Sequence, residues 1–118
     1  MEISNYIDLE DAAERFMKND DLFKKFLFRF PAEEGFHDLF NLLDEGKIEE
    51  AFKVAHSLKG VAANLALKSL NEALKPISDI LKAKAMPGED EIKRLKDAYE
   101  DVLQLIVEIE LEGKTLFS

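Results

Sequence analysis

The sequence predicts an all-α fold: an antiparallel up-down-up-down four-helix bundle with a short extra helix at its N-terminus. Three observations lead there. Apolar residues recur at three- and four-residue spacing in one segment after another, which is the signature of amphipathic helices. No segment alternates with period two, and β-branched residues are few, so strands are not expected. The three prolines and five glycines fall mostly between the periodic segments, and the connections they mark are short enough to make neighbouring helices antiparallel.

Each element has its own signals. Asp8 is placed to cap a short first helix running to about Met17, with Glu10 and Asp11 favourably disposed in its first turn. The "NDD" at 19–21 caps the next helix, whose Leu22, Phe23, Phe26, Leu27 and Phe30 share one side until Pro31 interrupts or kinks it. Periodicity resumes with Phe36, Leu39, Phe40 and Leu43, and Gly46 suits a C-terminal cap. A long helix follows from about Lys47 to Ala66. The "SLNE" at 69–72 has the form of a capping box, with Ser69 as cap, opening a helix through Leu70, Ala73, Leu74, Ile77, Ile80 and Leu81 that Pro76 should kink. The turn "MPGEDE" at 86–91 leads into a last helix carrying Ile92, Leu95, Tyr99, Val102, Leu103 and Ile106 and ending near Gly113.

The 118 residues suffice for one domain, 1–118, and 47% hydrophobic with 35% charged residues describes a globular chain. With no cysteine there is no disulfide, thiolate nucleophile or cysteine-ligated metal, and the composition fits the cytoplasm. Met1 opens onto "EISNYIDLED", without the basic and apolar regions of a signal peptide, and no apolar run approaches a membrane span. A net charge of -9 repels phosphate backbones, so general nucleic-acid binding is not expected.

The residues that stand out are in "AHSLKGVAANLAL", 55–67. Glycine inside a helix costs about 1 kcal/mol relative to alanine, yet Gly60 stands four residues after His56. On a wheel with His56 at zero, Leu65 falls at about 180°, Val54 at about 160°, Leu58 at about 200° and Val61 at about 140°. Ala51, Ala62 and Ala55 follow at about 220°, 240° and 260°. The apolar arc thus lies opposite His56, which should project into solvent from mid-helix. Its surface neighbours are Phe52, Lys53, Lys59 and Gly60, with Ala63 beyond. Lys59 is within reach of an anion on the imidazole, and Gly60 leaves a gap through which a partner can approach. Taken singly these residues have plain readings: an idle surface histidine, a solvated lysine, a glycine for tight helix packing. Their convergence on one face, away from the core, is what argues for chemistry.

Of the remaining candidates, His37 is read as a boundary or surface histidine, and Phe28 as packed on the first helix. The carboxylate pairs at 33–34 and 49–50 are read as solvated charges. Of the two histidines, His37 has Glu34 three residues ahead but His56 has Lys53, so the two Glu-x-x-His motifs of a carboxylate-bridged metal site are not both present, and the histidines do not make a metal pair.

"HSLKG" at 56–60, on a long helix of a predicted four-helix bundle, resembles the histidine-containing phosphotransfer (HPt) domain. The resemblance lies in His56, Leu58, Lys59 and Gly60, continues through the run Val61, Ala62, Ala63, Asn64 and Leu65, and extends in helix order over nearly the whole chain. It departs at Ala63 and at Ala66, where such domains often carry glycine; both replacements are small, so little loss of access is expected. The resemblance implies that His56 accepts a phosphoryl group from a receiver-domain aspartate and passes it to another. Lys59 would partly neutralise the phosphoryl charge and Gly60 would provide access. The resemblance further implies no autonomous kinase activity, no cofactor held by this chain, Mg²⁺ supplied by the receiver, outer-nitrogen (Nε2) phosphorylation, and partners that are response-regulator receiver domains and a hybrid histidine kinase. No Walker loop or kinase glycine-rich loop is present.

A neutral imidazole is a competent nucleophile near pH 7, and phosphoryl transfer asks mainly for in-line positioning and charge neutralisation. For docking, Phe52 is a candidate apolar anchor or a residue packed under the neighbouring helix. Lys53, Asn64 and Lys68 form the expected rim, with Ala63 adding room, and the lysines make a local basic spot. A monomer is expected, and the ending "EGKTLFS" favours a stand-alone protein. Two rivals remain: a helical adaptor that carries no phosphate, which would need none of His56, Lys59 and Gly60, and the phosphotransfer domain of a chemotaxis-type kinase, which would need further domains.

Overall fold

In the computed structural model, which describes residues 1–117, Asp8 opens the first helix as its sequence signal requires: the carboxylate accepts from the Asp11 N–H at 3.0 Å and α1 runs Leu9–Arg15. Met17 and Lys18 then take left-handed backbone, which turns the chain sharply. Asn19 caps α2 (Asp20–Leu27) by accepting from the Leu22 N–H at 3.0 Å.

Pro31 ends the next run where the sequence had left a kink open. A 3₁₀ turn at Phe30–Ala32 replaces the α-helix, and α3 (Gly35–Asp44) begins anew. One predicted long helix is therefore two, and the described residues hold six α-helices. Gly35 shows why the junction sits where it does. A Cβ there would stand 2.7 Å from Cδ2 of Leu58, a buried core side chain that would have to shift. Phe26 also departs from expectation. It is 42% exposed instead of joining Phe23, Leu27 and Phe30 inside, and its ring lies 5.9 Å from that of Phe16.

Gly46, at φ +70°, closes α3, and α4 (Ile48–Asn64) follows. α5 spans Lys68–Lys82, and α6 spans Glu89–Glu112 up to Gly113, at φ +63°. Glu91 accepts from the Gly88 N–H at 3.1 Å and steadies the start of α6. The expected cap at Ser69 is not formed. The turn from α4 is tighter than the pattern suggests: Ala66 is left-handed at φ +53° and Leu67 is drawn wholly into the core, so α5 begins at Lys68. Ser69 then lies inside the helix with its hydroxyl buried and unpaired. Pro76 stands within α5 without ending it.

The molecule is an all-α helical bundle in which α4 packs against α3 and α5, and α5 against α6. Its continuous core takes Phe23, Phe36, Leu39, Leu58, Leu74, Ile77 and Leu95 from five of the helices. Phe28 is half-buried against this core and His37 is exposed. Among the described residues no helix is long and apolar enough to cross a membrane. The C-terminal segment folds back over α2: Asp20 accepts from the N–H groups of Leu116 (2.6 Å) and Phe117 (3.1 Å), and the Phe117 ring lies 5.4 Å from that of Phe23.

Candidate functional site

α4 buries Ala51, Ala55, Leu58 and Ala62, while Val54 and Val61 stay half-buried. The buried stripe is therefore turned from the wheel's prediction towards the alanines. Their small side chains let α5 approach α4 closely, and the flank towards α2 is left as an open groove. His56 remains on the outward crest, exposed, at the middle of a 17-residue helix. The Phe52 ring lies 6.0 Å from the imidazole, inclined at 34°, with its other side against the core. Phe52 thus both packs and borders the histidine.

Gly60 decides between two readings of its own presence. A glycine kept for helix packing would have a neighbour where its Cβ would be; at Gly60 nothing lies within 4 Å. The gap opens outward, one turn from His56, and no packing contact accounts for the glycine. Lys59, half-exposed, leans the other way, into a groove it shares with Lys68, Asn71, Glu72 and Lys75 of α5. Lys68 is exposed as the first residue of α5, and Ala63 lines a recess against α1 with Asp8, Asp11 and Arg15.

The expected single basic spot is not formed. Lys53 lies on the α3 side of the crest among Glu33, Glu34 and Asp38, whereas Lys68 lies on the α5 side. One sequence-predicted residue reaches a feature that sequence reasoning missed. Asn64 borders an apolar groove of about 480 Å³ lined by Phe16, Phe26, Phe30, Val61 and Leu65, with the Arg29 guanidinium 5.4 Å above the Phe26 ring. Among the described residues no group of three His, Asp or Glu side chains converges as metal ligands would.

A family model for the Hpt domain matches residues 27–105, two thirds of the chain. The chain belongs to the Hpt-domain family. The match takes in the whole of α3, α4 and α5 and most of α6, and it contains the His56 crest; α1 and all but the last residue of α2 precede it. Comparison with curated proteins and with solved structures returns no match. Hpt domains are phosphotransfer intermediates of two-component phosphorelays that work through a phosphohistidine and are not autonomous kinases.

The electrostatics of this Hpt site follow from its exposure. On α5, Lys75 holds Asp79 at 2.9 Å, and that hydrogen bond outweighs the opposing effect of burial and, with the charges of Lys75, Lys59 and Lys82, keeps the Asp79 carboxyl below its ordinary range. Asp79 is therefore ionised at neutral pH and pairs with Lys75.

Proposed function

We propose that this protein relays phosphoryl groups between receiver-domain aspartates in the cytoplasm through a phosphohistidine at His56. The observation that carries the reading is the open space at Gly60 beside an exposed His56. An interior helical glycine with nothing to pack against is a cost of about 1 kcal/mol for which the fold offers no return, whereas transfer between two proteins requires reacting atoms within about 3–3.5 Å.

The chemistry is a reversible in-line displacement. Nε2 of neutral His56 forms the N–P bond as the P–O bond to the receiver's aspartate breaks, and the electron pair leaves with the carboxylate. Nδ1 keeps its proton, which then equilibrates with solvent. Lys59 offsets part of the charge spread over the phosphoryl oxygens. Mg²⁺ would come from the receiver and neutralise the same charge from the other side. The next receiver reverses these steps. Phe52 and the Phe26–Val61 groove supply apolar contact, while Lys53, Asn64 and Lys68 form the rim. The helix order and the short connections at 45–47, 65–67 and 83–88 support reading α3 to α6 as an up-down-up-down bundle. Such a bundle holds the crest rigid while partners exchange.

The test is intact-mass spectrometry after incubation with a panel of phosphorylated receiver domains and Mg²⁺. A gain of one acid-labile phosphoryl group that is absent in His56→Gln supports the relay. No gain from any active receiver, with the protein folded, leaves the adaptor reading.

A further inference from the structure

The crest that carries His56 separates two grooves of opposite charge. On the α3 side, Glu33, Glu34 and Asp38 face a single lysine, Lys53. On the α5 side, Lys59, Lys68 and Lys75 face a single carboxylate, Glu72. The positive side is periodic: Lys68, Lys75 and Lys82 are seven residues apart, which places them two turns apart along one exposed face of α5. Asp79, paired with Lys75, offsets part of this row but leaves it positive. In a chain of net charge -9, such a concentration of lysine on one flank departs from the average surface.

We propose that this charge step orients the docked receiver domain, so that an acidic segment of the receiver lies along the Lys68–Lys75–Lys82 row and a basic segment faces Glu34 and Asp38. The inference rests on the relay function proposed above and extends it to partner selection. Lys59 is common to the site and to the positive groove, so a receiver whose acidic phosphorylation pocket meets His56 and Lys59 already has that groove beneath its edge. Opposite charges on the two sides of one nucleophile favour a single rotation of the partner about it. A uniform charge would attract without selecting a rotation. A receiver with the reversed pattern would bring like charges together on both flanks and be rejected.

The test is a charge swap that keeps the net charge: Lys75→Glu and Lys82→Glu combined with Glu34→Lys and Asp38→Lys. Transfer from each receiver that labels wild-type His56 is measured against receiver concentration at about 20 mM and about 0.3 M salt. Labelling by phosphoramidate, a small donor that needs no docking, is measured in parallel. The swap is expected to raise the half-saturating receiver concentration about tenfold at low salt and much less at high salt, with phosphoramidate labelling unchanged. If the swap unfolds the protein, Lys75→Gln with Lys82→Gln is expected to give an increase of about threefold with the same salt dependence. An unchanged half-saturating concentration at low salt in a folded variant overturns the proposal. If no receiver labels the wild type although phosphoramidate does, the relay reading fails and this inference falls with it.

Discussion

The Phe52 ring stands 6.0 Å from the His56 imidazole on the same exposed side of α4, one turn away. It is the apolar surface nearest the proposed nucleophile, and a receiver reaching Nε2 must come down beside it. Phe52 is half-buried, so truncation to alanine would mix a packing loss of about 2–3 kcal/mol with any docking effect. Phe52→Leu keeps most of the packed volume and removes the ring face. Receiver titrations of this variant should show a half-saturating concentration raised about three- to tenfold, with thermal stability lowered by no more than about 1.5 kcal/mol. Unaltered titrations would make Phe52 a core residue only.

Gly60→Ala should separate stability from transfer. The added methyl meets no protein atom within 4 Å, so the helix gains about 1 kcal/mol in thermal or urea unfolding. The same methyl occupies the approach to His56, and receiver-dependent phosphorylation should slow by tenfold or more, about 1.4 kcal/mol of lost transition-state access. A variant more stable and equally fast would remove the access argument.

Ala66 carries the opposite burden. It is left-handed at φ +53° in the turn between α4 and α5, where its carbonyl also accepts from the Asp8 N–H at 2.9 Å. That backbone costs a non-glycine residue about 1–2 kcal/mol, of which glycine would return part to the entropy of the unfolded chain. Ala66→Gly should therefore stabilise by about 0.5–1 kcal/mol, seen as a melting temperature a few degrees higher. The small size of this alanine is legible in the sequence; its left-handed backbone is not.

How far the sequence could be read depends on whether a feature is local. The Asp8 and Asn19 caps, the Gly46 and Gly113 helix ends and the exposure of His56 are each set within one or two turns, and each was legible from spacing. The Ser69 cap failed because burial of Leu67, a tertiary event, moved the helix start forward. The apolar groove beside Asn64 and the charge step across His56 each need three or more segments brought together, which no helical wheel shows. The fold-back of Leu116 and Phe117 onto Asp20 spans nearly the whole chain and left no local trace.

That fold-back should respond to acid. Burial raises the Asp20 carboxyl, but the Leu116 N–H, the Lys24 ammonium and the Phe117 N–H together outweigh it and hold the group below its ordinary range. A carboxyl held down on folding contributes stability that is present above its unfolded value, about 3.9, and is lost as pH falls through the lower folded value. Amide exchange at Leu116 and Phe117 should therefore accelerate as pH drops below about 4, after correction for intrinsic rates. Asp20→Ala, which removes the acceptor, should show fast exchange already at neutral pH, at a cost of about 1 kcal/mol. Equal protection in wild type and variant would mean that the Phe117–Phe23 contact alone holds the segment.

The most direct test of the relay is onward transfer from the isolated phosphoprotein. The protein phosphorylated by one receiver would be purified, mixed with a second, unphosphorylated receiver and Mg²⁺, and followed by intact mass in a single turnover. The account predicts that the phosphoryl group leaves His56 and appears stoichiometrically on the second receiver, faster than it is lost to water, with Lys59→Gln slowing the exchange. Loss to solvent alone, or a phosphoryl group that survives in His56→Gln, would contradict it.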